Sequence, residues 1–173
     1  MTMKKVSFFA VFVLVICLGF NVSAQTKSKF AHVNSNDLML IMPGIDTAQQ
    51  AIQNYAKQLE DEMKAMYSEY EKKALDFQNN QATMSQSLQQ IKMKELQDLE
   101  ARIRSFEEQA QTELQTKQEE LLRPVVDKAK AAIADVAKEQ GYTYVFDSGL
   151  GVLLYSDEGD NIIELVKKKL GIK

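Results

Sequence analysis

The chain has 173 residues, of which 45% are hydrophobic and 26% are charged, and its formal net charge is −3. This acidic balance, without a basic stripe, argues against a nucleic-acid partner, and a single cysteine excludes a disulfide framework. A chain of this length normally forms one domain around one core, but here the apolar residues are concentrated at the two ends.

Residues 1–24, "MTMKKVSFFAVFVLVICLGFNVSA", have the pattern of a secretory signal peptide. Lys4 and Lys5 precede an apolar run over 6–20, and small residues up to Ala24 form a cleavage site. About 15 apolar residues are fewer than the roughly 20 that a membrane-spanning helix needs. The sequence therefore predicts export to the periplasm with cleavage of the signal, rather than a membrane anchor.

Cys17 is the only cysteine, and its position raises the alternative of a lipoprotein. It lies inside the apolar run and follows a bulky isoleucine, which does not favour lipidation. Cleavage before Gln25 would remove it and leave 19 basic against 24 acidic residues, a formal charge of −5. The exported chain would then contain no thiolate nucleophile and no cysteine metal ligand.

The segment 46–123 contains no glycine or proline and is rich in Gln, Glu, Lys, Ala, Leu and Met. These residues favour helices, so the pattern predicts long helices, with Asp46 or Thr47 as the N-cap after Pro43. Apolar or small residues recur at steps of three and four with an 11-residue repeat, which is typical of a nearly straight helix with one apolar stripe. The first stripe consists of Ile52, Tyr55, Leu59, Met63, Met66, Tyr70, Ala74 and Phe77.

The uncharged stretch "QNNQATMSQSLQQ" interrupts this pattern at 78–90 and predicts a turn. If the chain folds back there, the two helices are antiparallel. The position numbers of residues that face each other then add to a constant. Five pairs of apolar or small residues sum to 165: Phe77 with Leu88, Ala74 with Ile91, Met66 with Leu99, Leu59 with Phe106 and Tyr55 with Ala110. We predict a long antiparallel helical hairpin over 46–123, with one continuous helix as the alternative.

The two ends, 25–45 and 124–173, are predicted to form a small body. A strand over 30–33 precedes a short helix that ends at Pro43, and an amphipathic helix after Pro124 ends at Gly141. Pro124 is expected to kink the chain where the hairpin meets the body.

Near the end of the chain, "YTYVFDSGLGVLLY" predicts a β-hairpin with strands over 142–147 and 151–155. Tyr142, Tyr144 and Phe146 would share one face of the first strand, with Val145 on the other. A final helix is predicted over 161–170.

Three short strands leave two open sheet edges, and a body of about 65–70 residues is marginal alone, so association of several chains is expected. The candidate interface residues are Phe30, Val33, Tyr144, Phe146, Val152 and Leu154. The predicted fold class is thus mainly α, with a long coiled-coil hairpin that projects from a small β-sheet body.

The segments "FAHVNSNDLMLIMP" and "GYTYVFDSGLGVLLYSDEGDNIIELVKKKL", at opposite ends of a long Gln/Lys/Glu-rich hairpin, resemble the Skp/OmpH family of periplasmic chaperones. The resemblance covers the whole chain after the signal. It implies a homotrimer in which strands of three subunits form a central β-barrel. Three helical tentacles would surround a cavity that holds unfolded outer-membrane proteins without ATP or any other cofactor.

One departure from the family is the charge, because its best-known members are strongly basic. The resemblance raises contact with a membrane surface or lipopolysaccharide, but this sequence offers no basic cluster onto which such a site could be transferred.

Client contact is predicted for the methionines of the hairpin, because methionine adapts its shape to varied apolar partners. The candidates are Met63, Met66, Met84 and Met93. Alternatively, Met63 and Met66 fill the seam between the two helices.

Two other functional classes are compatible with parts of this sequence. A periplasmic scaffold or spacer would need the same coiled coil, and suppression of client aggregation would distinguish it from a chaperone. An enzyme is disfavoured, because His32 is the only histidine and Asp147, Asp157 and Asp160 lack the spacing of a calcium loop. We therefore predict no catalytic residue and no metal site.

Overall fold

The computed structural model describes residues 28–172, so the predicted signal peptide lies outside the described residues. The elements, in chain order, are β1 (Phe30–Val33), α1 (Ser35–Leu40), α2 (Ile45–Asn80), α3 (Gln86–Gln140), β2 (Tyr144–Asp147) and α4 (Ile163–Leu170). Single 3-10 turns occur at Gln81–Thr83, Ser148–Leu150 and Glu158–Asp160. In the described part of the chain, no helix is both long and apolar enough to cross a membrane.

Helices α2 and α3 form the predicted antiparallel hairpin, and the turn between Asn80 and Gln86 lies within the predicted segment. The alternative of one continuous helix is therefore wrong. With 36 residues, α2 is about 54 Å long at a rise of 1.5 Å per residue. We call residues 46–123 the arm.

The seam of the arm follows the predicted stripe. All eight stripe residues are buried or half-buried, and Leu59 is fully buried. Across the seam, Leu99 and Ile103 of α3 are each 4% exposed. The 11-residue spacing was therefore sufficient to identify the contact face of α2.

Polar contacts between α2 and α3 indicate which residues of the two helices face each other. Tyr55 donates a hydrogen bond of 2.8 Å to Glu113, which raises the pKa of Tyr55, and Lys73 lies 3.9 Å from Glu95. Both pairs have positions that sum to 168, within one helical turn of the predicted 165. Tyr67 donates a further hydrogen bond of 2.7 Å to Glu107, and the positions of this pair sum to 174.

The start of α2 differs from the prediction. Gly44 occupies the N-cap position with a φ of 94° and no side-chain hydrogen bond caps the helix, so capping by Asp46 or Thr47 is wrong. Glycine takes this left-handed conformation without a steric penalty. Asp46 lies instead in the first turn, where its charge interacts favourably with the helix dipole.

Helix α3 runs through Pro124 without ending, so one 55-residue helix replaces the two that were expected. A proline inside a helix typically costs about 3 kcal/mol. Pro124 is exposed, so water can bond the backbone carbonyl that loses its partner. Burial of Val125, Ala129 and Val136 directly after it offsets the cost.

The sheet has a different topology from the predicted β-hairpin. Strand β2 pairs in parallel with β1, with Phe30 opposite Tyr144 and Val33 opposite Asp147. Residues 151–155 form no strand. Alternation within a strand predicts its faces but not its partner, which is why this pairing was missed.

The core is built from both ends of the chain, with contributions from β1, α1, the start of α2, the last third of α3 and α4. Leu38, Met42, Ile162 and Val166 are its most deeply buried large side chains. The other core members are Ala31, Val33, Ile45, Val125, Ala129, Ala132 and Val136. The core therefore lies at the base of the arm.

Candidate functional site

An exposed aromatic cluster covers the outer face of the two-stranded sheet. Phe30, Tyr144 and Phe146 are 49%, 58% and 44% exposed. Their ring centroids lie 5.8 to 6.4 Å from one another. The opposite face, with Ala31 and Val145, packs on the core. Three adjacent exposed aromatic rings on a sheet this small are typical of an interaction surface.

The other candidate interface residues divide into two groups. Val152 and Leu154 are exposed, in the irregular segment after β2, and Leu154 is fully accessible. Val33 is only 3% exposed and belongs to the core of its own chain, so it is not available to a neighbouring copy. Tyr142 was predicted to share a strand face with Tyr144 and Phe146, and this is wrong. It precedes β2, packs against the core and lies under the Lys29 ammonium.

His32 ties the irregular segment to β1. Its ring is 7% exposed, with Nε2 at 3.1 Å from the backbone oxygen of Asp157 and Nδ1 at 3.4 Å from the Ser148 hydroxyl. A carbonyl oxygen only accepts hydrogen bonds, so Nε2 donates there. His32 therefore has a structural role at the edge of the aromatic cluster.

Asp147 holds the turn that follows β2. Its Oδ1 accepts hydrogen bonds from the backbone N–H groups of Ser35, at 3.1 Å, and Gly149, at 2.8 Å. Partial burial opposes ionisation of this carboxyl, but the hydrogen bonds from Ser35 and Gly149 outweigh burial, and the pKa of Asp147 is lowered. The ionised side chain thus joins β2 to the start of α1.

Asp147→Asn keeps an acceptor oxygen and removes the charge, and we expect a loss of about 1 kcal/mol in unfolding free energy at pH 7. Because the pKa of Asp147 is lower in the folded chain, its ionised form favours folding. That stabilisation is complete above the ordinary carboxyl pKa of about 3.9 and is lost as the pH falls through the folded value. Urea denaturation at pH 7 and at lower pH should therefore show the difference between variant and wild type shrinking.

The control for this prediction is Glu158→Gln, which removes one charge from an exposed turn nearby. We expect a change below about 0.5 kcal/mol. A loss equal to that of Asp147→Asn would mean that net charge, not the hydrogen bonds, explains the effect.

The four candidate methionines lie in different environments. Met63 and Met66 are half-buried in the seam, as the alternative interpretation expected, and Met84 is half-buried at the turn. Met93 is 49% exposed on α3. Of the four, Met93 therefore offers the largest fraction of its surface to another molecule.

Sequence reasoning missed several exposed apolar residues near the turn. Leu75 is 57% exposed, and Leu88 and Ile91, which the sequence placed in the seam, are 40% and 55% exposed. A two-helix seam covers only one narrow face of each helix, and no third element lies over its flanks. The sequence did indicate that Leu75 is exposed. It lies between Ala74 and Phe77 but is not a member of the apolar stripe.

The family model that matches this chain is described as "Outer membrane protein (OmpH-like)" and spans residues 29–170, which contain both the arm and the core. The chain belongs to the OmpH-like family.

This OmpH-like chain is similar to the chaperone protein Skp of Photorhabdus laumondii, with 27% identity over 159 residues that cover 90% of this chain and 93% of the relative. It is 26% identical to the protein of the same name from Photorhabdus luminescens, with the same coverage. A crystal structure of an OmpH-like protein from Caulobacter crescentus CB15 superposes with a TM-score of 0.71 at 13% identity, covering 83% of each chain. That likeness shows a shared fold.

The aspartates that raised the alternative of a calcium site are turn residues in this OmpH-like chain. Asp147 accepts the hydrogen bonds described above, and Oδ1 of Asp157 accepts one of 2.8 Å from the Gly159 N–H. Within residues 28–172, no group of three or more His, Cys, Asp or Glu side chains is arranged to hold a metal ion.

Proposed function

We propose that this protein is a periplasmic holdase, exported by cleavage of residues 1–24, that binds unfolded outer-membrane proteins and prevents their aggregation. Binding and release need no nucleotide, and release follows the folding of the client into the outer membrane. The names of the two Photorhabdus relatives support a chaperone role.

In this proposal the body, 25–45 and 124–173, joins three copies of the chain. The support is the aromatic cluster of Phe30, Tyr144 and Phe146, which the single chain leaves exposed. Strand β2 also has an open edge on the side away from β1, which a strand of a neighbouring copy can pair, whereas the other edge of β1 is bridged at His32 by Asn161. Three copies would close their strands into a barrel-like body and hold three arms around a common space.

The observation that carries the holdase proposal is the exposure of large apolar side chains on an otherwise polar arm. Leu75, Leu88, Ile91 and Met93 are 40% to 57% exposed. A client without fixed structure needs several weak apolar contacts rather than one deep pocket. Side chains spread over two thin helices supply such contacts.

We expect Leu75→Ser with Met93→Ser to weaken client binding about tenfold, since each half-exposed side chain contributes about 0.7 kcal/mol of apolar contact. The measurement is light scattering of an unfolded outer-membrane protein diluted from urea with stoichiometric chaperone. Neither residue lies in the seam, so the variant should keep the helix content of the wild type.

The matched control is Ala65→Ser with Ala101→Ser, which introduces the same residue at two exposed positions nearer the base of the arm. It should suppress aggregation as the wild type does. A wild type that forms trimers but leaves client aggregation unchanged would contradict the holdase and favour the scaffold or spacer.

A further inference from the structure

The outer end of the arm carries no charge. Residues 77–91, which we call the tip, contain no Asp, Glu, Lys or Arg. The other 63 residues of the arm contain 25 charged residues, of which 10 are basic and 15 are acidic. Asp76 on α2 and Lys92 on α3 bound the tip, and their positions sum to 168, as those of the Lys73–Glu95 contact do. Both helices therefore become uncharged at the same height of the arm.

The tip is an ordered surface with exposed apolar side chains. Leu88 and Ile91 are 40% and 55% exposed. The Nε2 group of Gln89 fixes the turn, because it donates hydrogen bonds to the backbone oxygens of Gln81, at 2.9 Å, and Met84, at 3.2 Å. A preformed surface without charges loses little ordering entropy and no ion hydration when another surface covers it.

Symmetry identifies the partner that this surface fits. Around a threefold axis, a residue near the axis faces the same residue of the two sister chains, so a charged residue there meets like charges. The arm has a formal charge of −5, all of it outside the tip, and the charged part of each arm is therefore repelled by the sister arms. The tip escapes this repulsion. Its Gln and Asn amides both donate and accept hydrogen bonds, so identical tips are complementary to one another.

A lipid surface fits the tip less well. Segments that lie in a membrane interface are rich in Trp and Tyr, with Lys or Arg toward the headgroups. Residues 77–91 contain none of these four residue types. The tip therefore has the composition of a protein contact rather than of a membrane contact.

On the basis of the proposed trimer, we infer that the three tips contact one another around the trimer axis when no client is bound, and so close the space between the arms. The contact covers Leu88 and Ile91, which would otherwise stay exposed to water and to other trimers. A client that enters competes with the sister tips for the same apolar side chains. Closure thus protects the apolar surface of a client-free trimer, and the client itself opens the arms.

The test uses single cysteines, because cleavage before Gln25 leaves a chain without any. Ser87→Cys places one at the tip, and Ser105→Cys is the matched control on the same helix. Both serines are exposed, and they lie 18 residues, or five helical turns, apart. They therefore share one face of α3 at heights that differ by about 27 Å. A short bis-maleimide then reports which of these positions approach each other in sister chains.

We expect cross-linking between chains at Ser87→Cys to be at least fivefold faster than at Ser105→Cys, and to slow at least threefold when an unfolded outer-membrane protein is added. In the Ser87→Cys protein, a further Gln90→Glu should slow it at least twofold, because three like charges would then meet near the axis. Added salt should reduce that effect. Gln97→Glu, at an exposed position of α3 outside the tip, should leave the rate unchanged.

Three outcomes would overturn the inference and leave the proposed function in place. The first is an equal rate at the two cysteines of a trimeric protein. The second is a rate at Ser87→Cys that rises with protein concentration, which would mean that tips of different trimers meet. The third is a dye on Ser87→Cys that phosphatidylglycerol vesicles shield, without cross-linking between chains, which would assign the tip to a lipid surface. A monomeric wild type would instead contradict the proposed trimer, and with it the inference.

Discussion

Replacing Phe146 by aspartate is expected to raise the protein concentration needed for assembly by at least about a hundredfold, which corresponds to about 2.7 kcal/mol. Phe146 is 44% exposed in the single chain and its ring lies within about 6.4 Å of those of Phe30 and Tyr144. A carboxylate enclosed by aromatic rings of three copies would lose its hydration without a partner, at a cost of several kcal/mol. Size-exclusion chromatography with light scattering should show a mass near one chain instead of three.

The control for this variant is Leu75→Asp, the same substitution at an exposed apolar residue of the arm. It should keep the trimer mass, because Leu75 lies far from the body. Far-UV circular dichroism must show that both variants keep their helices. A Phe146→Asp protein that stays trimeric would contradict the assignment of the aromatic cluster to the interface, and a monomeric wild type would contradict the trimer itself.

Replacing Leu38 by alanine is expected to destabilise the body by about 3 kcal/mol, within the range of about 2 to 5 kcal/mol for such core truncations. Leu38 is 1% exposed, in a helix of only six residues. A helix this short has little stability of its own, so its packing against α3 and the turn after β2 maintains it. The measurement is urea denaturation at one fixed protein concentration, since assembly shifts apparent stability.

Leu40→Ala supplies the matched control for Leu38→Ala. Leu40 lies in the same helix, two residues later, and is 72% exposed. Its truncation should change the unfolding free energy by less than about 0.5 kcal/mol. Equal losses in the two variants would mean that the helical propensity of α1, and not burial of Leu38, determines the effect.

The arm was the most predictable part of the fold, for a local reason. Helix formation depends on neighbouring residues, so a long segment without glycine or proline and with a regular apolar stripe defines both the helices and their contact face. The turn near Gln81 was predictable for the same reason, because it depends on residues that are close in sequence. The cap at Gly44 was missed because its geometry depends on the chain entering from α1.

The body was less predictable, because its contacts are not local. Strand alternation places Val33 and Phe30 on opposite faces of β1. Only the position of α3 decides which of the two faces packs on the core. The partner of β2 is more than a hundred residues away, whereas the predicted partner was its neighbour. The exposure of Leu88 and Ile91 likewise depends on the absence of a third helix over the seam in the described chain, which a pairwise periodicity does not reveal.

The parallel pairing of Phe30 with Tyr144 has a consequence for how the protein forms. Each chain must close a loop of more than a hundred residues before its sheet exists, whereas the helices between depend mainly on contacts closer in sequence. The arm is therefore expected to fold before the sheet, and in the proposed trimer the surface that joins the copies would form last. If the chain is exported and assembles as we propose, this order would delay its association with other copies until nearly all of it has been delivered.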